Sequence, residues 1–428
     1  MNFSGLSTDQ APPIIVPLRF FLTAPIFGIL AGILMLFSDT ASLMSRYSID
    51  SIVITHTITI GFFSFVMFGA LTQMLPVLAG AKIYKVKMVT QIAHILMSFG
   101  LIMMIIGLFS NSSLYILSAS LSLSSGFMIM IFFILLAIKD IKNITATIRA
   151  MATSMFFAFI IVVMGLFLLY SYIIGSHSEF HFAVANIHSV MAIFGFAGIL
   201  IIGVSFQVLP MFYVAPHFKN FCKNYVVYLI SFGLALWLFF NLFLDTYALF
   251  GKFLIALFFL AFATTVWKKL NERKRPVLDV TIWYWRASSI FLALGTFLWI
   301  FDEFFKNEYI VMVAILIGGG FIFSIIIGML YKIIPFLVWF HLNAKGYMSI
   351  PTITQMIDKR FAQAQFGFFI SALIGFIFSF YISYLFELSI ISFIISMVLL
   401  EINILKPVYI YMKTMKTEPD FDMSAFQV

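Results

Sequence analysis

The fold class this sequence predicts is an all-α integral membrane protein: about twelve transmembrane helices in three four-helix units around a pseudo-three-fold axis. Three observations lead there: the composition, the recurrence of apolar runs long enough to cross a bilayer, and a glycine-proline pattern that returns every fourth run. Of the 428 residues, 63% are hydrophobic and 10% charged, and the mean hydropathy is +1.10. A water-soluble domain could not keep that much apolar surface away from water.

Runs of about 20 apolar residues, enough to span roughly 30 Å of hydrocarbon, recur along the whole chain. They lie at approximately 17–37, 51–78, 87–109, 114–138, 148–175, 183–213, 225–244, 247–267, 281–303, 309–338, 361–385 and 389–411. The first follows a polar leader and is as long as a full span, so it is expected to be retained rather than cleaved as a signal. The chain reads as one polytopic membrane domain, 1–428, with internal repeats at approximately 17–138, 148–267 and 281–411.

The net charge of +8 is informative through its placement. Of the 25 Lys and Arg residues, all but Arg46, Lys252 and Lys306 fall at or near the side reached after even-numbered spans, including the KKLNERKR run from Lys268 to Arg275. By the positive-inside rule both termini are then cytoplasmic, as in a multi-pass protein of a bacterial-type inner membrane. The expected partner is the lipid bilayer, and the basic loops give no reason to expect nucleic acid. The single cysteine, Cys222, falls in a cytoplasmic loop and leaves no disulfide and no thiolate cluster to form.

The repeat is carried by segments two, six and ten: GFFSFVMFGALTQMLP, GFAGILIIGVSFQVLP and GFIFSIIIGMLYKIIP. Gly61, Gly69 and Pro76 match Gly195, Gly203 and Pro210, and these match Gly320, Gly328 and Pro335, with the same spacing each time. Glycines eight apart lie on roughly one helix face and let a neighbouring backbone or a flat ligand come close, which makes Gly61 and Gly195 candidate cofactor contacts. Each proline frees the carbonyl four residues back, at Thr72, Phe206 and Tyr331, and in hydrocarbon that carbonyl needs a new partner. Three residues before each proline stands a polar side chain: Gln73, Gln207 and Lys332. These residues either repair the kink or line a polar path, and Lys332, near the cytoplasmic end, can also snorkel.

Histidine inside a span is a functional candidate, because lipid can satisfy neither its donor nor its acceptor. His56 precedes Pro76 by 20 residues and His188 precedes Pro210 by 22, so both lie a turn or two inside the outer face on repeat-related helices. Such a placement suits haem or metal ligation. His94, in the inner half of segment three, is a further metal candidate or a hydrogen-bonding partner for Thr or Gln. His177 and His181 flank an outer loop, while His217 and His341 sit at cytoplasmic ends, where interfacial placement is ordinary.

The stretch His56-x4-Gly61-Phe62, with Gly69, Pro76 and Gly80, resembles the second span of the NnrS family, and LRFFLTAPIFGILAG, Leu18 to Gly32, resembles its first. The resemblance implies a twelve-span membrane protein with haem, here b-type, and copper as a second cofactor, acting in the response to nitric oxide. It further implies kinship with subunit I of the haem-copper oxidases, whose twelve helices form three arcs of four. Its low-spin haem ligand on span two corresponds to His56, and its copper ligand on span six corresponds approximately to His188. Segment seven lacks the histidine pair of the oxidases, and Ile310 to Phe321 lacks their two haem ligands on span ten, so an intact oxygen-reducing binuclear centre is not expected. The expected function is haem binding, with copper as a further metal, in nitric oxide or redox stress or in electron transfer, with an electron donor or nitric oxide as partner. The alternative is a transporter whose solute or proton path is lined by Gln73, Gln207 and Lys332.

Overall fold

A computed structural model describes residues 10–176, 178–274, 279–305 and 308–421. His177, Arg275 and Lys306 therefore lie outside the described residues. Among the described residues twelve helices are long and apolar enough to cross a membrane: α1 Ile15–Phe37, α2 Ile49–Ala79, α3 Val86–Ser110, α4 Ser113–Lys139, α5 Ala146–Ile174, α6 Glu179–Tyr213, α7 Asn220–Phe243, α8 Ala248–Asn271, α9 Val280–Phe305, α10 Ile310–Asn343, α11 Lys359–Phe378 and α12 Leu385–Thr414. Among the described residues there is no strand. The all-α multi-pass membrane architecture is thus the one that hydropathy predicts. Even-numbered helices start at one end of the bundle, here the histidine end, and finish at the other, the proline end.

Side chains start several helices by accepting backbone N–H bonds that the first turn leaves free. Ser48 accepts from Ser51, Thr145 from Ile148, Asp279 from Thr281 and Ile282, and Asp358 from Arg360 and Phe361. Gly80 closes α2 in the left-handed region, at φ 67°, which a side chain would strain. At the proline end Asp420 accepts from the N–H groups of Ser349 (2.8 Å) and Met348 (2.7 Å), and these bonds hold its carboxyl below the ordinary value.

Several boundaries shift by a turn or so from the sequence reading, and one shifts by more. The eleventh run was expected to continue to 385, yet α11 ends at Phe378 and a turn occupies 379–384. The turn reads SFYISY and carries no charge, so nothing in hydropathy marks the break.

Helices α2, α6 and α10 are the inner ones: 67, 78 and 67% of their apolar windows are buried, against 17 to 44% for the other nine. They touch pairwise. Phe62 of α2 meets Phe323 of α10 at 4.4 Å between ring centres, Phe68 of α2 meets Phe196 of α6 at 6.1 Å, and Phe212 of α6 meets Phe336 of α10 at 5.8 Å. Each inner helix also contains a π-helical stretch, Thr59–Ser64, Met191–Gly198 and Ile315–Phe323. Each stretch ends twelve positions before its proline: Ser64 to Pro76, Gly198 to Pro210, Phe323 to Pro335.

The repeated glycines pack against the helix that precedes each inner helix. A Cβ at Gly61, Gly195 or Gly320 would collide with Phe27, Phe157 or Phe291, and one at Gly69, Gly203 or Gly328 with Phe20 and Phe21, Ala150 or Tyr284. The stripe is therefore a close helix-helix seam. Of the two readings of the stripe, a close helix neighbour or a flat ligand, the helix neighbour is the one seen at Gly61 and Gly195, where Phe27 and Phe157 lie against the glycine faces.

A buried polar network ties the last four helices together. Gln365 of α11 accepts from the hydroxyls of Tyr284 and Tyr331 (the latter at 3.3 Å) and donates from Nε2 to Ser396 Oγ of α12 at 2.8 Å. Asn403 of α12 donates to the Asp358 carbonyl at 3.1 Å and accepts from its N–H at 2.9 Å.

Candidate functional site: a histidine pair between inner helices

His56 lies in the second turn of α2 and His188 in the third turn of α6, both at the histidine end. The fold brings the two rings together, with centres 6.1 Å apart and planes inclined by 31°. Measured from the prolines they are two residues out of register, but each stands three residues before the π stretch of its helix, His56 before Thr59 and His188 before Met191. The α6 stretch has eight residues against six in α2, and those two extra residues absorb the offset.

The two imidazoles differ in their bonding. His56 Nδ1 lies 2.7 Å from the carbonyl oxygen of Ile52, one turn back. A carbonyl only accepts, so Nδ1 carries the proton and Nε2 keeps a free lone pair. His188 Nδ1 is buried and has no hydrogen-bond partner among the described residues. On its other side the ring lies against α5, where its Cε1 would be 3.6 Å from a Cβ placed at Gly165.

Arg46, in the connection before α2, lies across the turn of α6 that carries His188. Its guanidinium donates to Asn186 Oδ1 (3.3 Å) and Ser189 Oγ (3.2 Å) and covers the Tyr47 ring at 5.0 Å. Burial pushes the Arg46 pKa down from its ordinary value, while Tyr47 and Asp302 act in the opposite sense. Neither Arg46 nor Gly165 stood out as a site residue in the sequence. The one signal for Arg46 was its place among the three basic residues on the sparsely charged side, and Gly165, alone in an apolar helix, carried no spacing signal.

The remaining candidates stand apart from the pair. His94 Nε2 is hydrogen-bonded to Thr23 Oγ1 at 2.9 Å, and its ring packs edge-on against Phe20 and Phe65, each at 5.2 Å. That is the hydrogen-bonding role, and the ligand role expected as an alternative finds no second donor around this ring among the contacts described. His181 packs on Tyr172, His341 packs on Phe340, and His217 is exposed. Among the described residues no group of three or more His, Cys, Asp or Glu could hold a metal ion.

The three polar positions before the prolines have different environments. Gln73 is buried, and among the described residues neither atom of its amide has a hydrogen-bond partner, so it is not seen to repair the carbonyl that Pro76 frees at Thr72. Gln207 is half-buried. Lys332 does not snorkel into open water: it is buried, ion-paired with Asp279 at the start of α9, and 5.6 Å from the Tyr213 ring, whose hydroxyl donates to Thr281 at 2.9 Å. The contacts described do not join these three residues into one path.

Two imidazoles that share one metal at about 2 Å per bond can have ring centres as far as about 6 Å apart, and the pair stands at 6.1 Å. The separation, the free lone pair on His56 and the unpartnered nitrogen on His188 fit a two-imidazole metal site. No family model matches the chain, and no curated protein matches it.

Proposed function

We propose that the protein is a haem-binding membrane protein in which His56 and His188 would hold the group, acting in electron transfer or in the response to nitric oxide or redox stress, with copper as the alternative metal for the same pair. The observation that carries this reading is the meeting of two intramembrane imidazoles at a separation suited to a shared metal. Bound there, the iron would supply one-electron chemistry. The chain's own contributions follow from its bonds: the Ile52 carbonyl fixes the His56 tautomer, and Arg46 holds the outer turn of α6 that carries His188. The resemblance of the first two spans to the NnrS family supports the same reading. We place the chain in a bacterial-type inner membrane with both termini in the cytoplasm, the proline end inward, from the distribution of Lys and Arg.

The test is the optical spectrum of the purified protein from haem-replete cells, together with metal analysis. A Soret band is expected in the wild type. His56→Ala should change it most and His188→Ala next, by loss of haem or a change of spin state, while His217→Ala and His341→Ala leave it unaltered. A full, unshifted Soret band in His56→Ala would remove that residue from the site. The transporter reading draws on the buried, unpartnered amide of Gln73, but the ion pair that holds Lys332 to Asp279 weighs against an open path through it. A colourless protein whose solute flux falls in Gln73→Leu would favour transport.

A further inference from the structure

We infer that the space beside the histidine pair, bounded by Gly165 of α5, receives an apolar edge of a flat ring system. This deepens the haem reading and rests on it. The repeated glycines at 61 and 195 are filled by Phe27 and Phe157, but a Cβ at Gly165 would have His188 Cε1, at 3.6 Å, as its one neighbour within 4 Å. Gly165 is therefore a glycine that makes room at the pair itself.

Its helix shows why the room is there. Ser154, Ala158, Ile161 and Gly165 recur at steps of four, three and four, which places them on one face of α5. Ser154 and Ala158 are fully covered by the bundle, whereas Ile161 and Gly165, one to two turns nearer the histidine end, are only half-buried. That inward face loses its cover at the level of His188. Of the twelve spans, α5 has the smallest buried share, 17%, and both histidine rings are themselves half-buried. Apolar walls with two nitrogen donors select a flat hydrophobic body that offers a central metal, and they disfavour a hydrated ion.

The experiment uses the purified full-length protein and ferric protoporphyrin IX as the probe. Gly165→Ala adds a methyl group at ordinary contact distance from His188 and should bind the probe as the wild type does. Gly165→Phe fills the space and should weaken binding by about tenfold or more. Wild-type affinity in Gly165→Phe, with probe binding abolished in His56→Ala, overturns the inference and leaves the histidine reading standing, whereas a wild type that binds no probe overturns both. If Gly165→Phe does not fold, Gly165→Cys in a Cys222→Ser background serves instead. The probe should slow its modification by a small apolar thiol reagent several-fold, and an unchanged rate counts against the inference.

Discussion

Two buried polar regions of the same bundle are built in opposite ways. Around Gln365, in the last four helices, both ends of the amide are hydrogen-bonded, so Tyr284, Tyr331 and Ser396 lock α9, α10, α11 and α12 to one another. Around His56 and His188, at the meeting of α2, α5 and α6, one nitrogen is buried without a partner, and a glycine leaves space beside the ring. In hydrocarbon a polar group without a partner costs free energy that no water can return. A satisfied network in the membrane therefore reads as architecture, and the unsatisfied histidine pair is where the proposed ligand would bind.

The comparison is sharpest where the satisfied network is cut. Gln365→Leu strands the Tyr284 hydroxyl in the core and takes an acceptor from Tyr331, while Ser396 keeps the Gln365 backbone carbonyl at 3.3 Å, and should cost about 3 kcal/mol, the upper end of the roughly 1 to 3 kcal/mol for a stranded group. Thermal unfolding in detergent would report it, and the Soret band should stay in place. A lost band with unchanged unfolding would reverse the two roles.

A smaller effect is expected at the Lys332–Asp279 pair. Lys332→Met leaves a carboxylate facing a methionine, but the Asp279 side chain is 35% exposed and water offsets part of the loss, so about 2 kcal/mol is expected. Adding Asp279→Asn keeps a good helix cap and should restore most of that stability. If the double variant is as unstable as the sum of the single ones, the two residues do not act as a pair.

Gln73 tests the boundary between the two classes. Its amide is buried and unpartnered, as His188 Nδ1 is, yet no glycine gap is seen beside it. If it has no ligand, Gln73→Leu should be neutral or stabilising by up to about 1 kcal/mol. A clear loss of stability would place Gln73 with the histidines, as a group that binds something in the membrane.

The sequence by itself determined the spans, the return of the glycine-proline pattern and the candidacy of His56 and His188. Each of these is local: a run of apolar residues buries a helix in lipid whatever its neighbours, and a proline frees its carbonyl wherever the helix lies. The end of α11 at Phe378 was not legible, because the turn that follows, SFYISY, has no charge, glycine or proline to mark it. Tertiary structure decided which faces meet. It alone set His56 against His188, since their register depends on π stretches of unequal length that proline spacing does not show. It also gave the repeated glycines to phenylalanines, bound Lys332 to Asp279 across 53 residues of chain, and put Gly165 beside the His188 ring. A side chain's hydrophobicity is a property of the residue, but its partner depends on how helices are rotated and tilted against one another, and that is fixed only when the whole bundle packs.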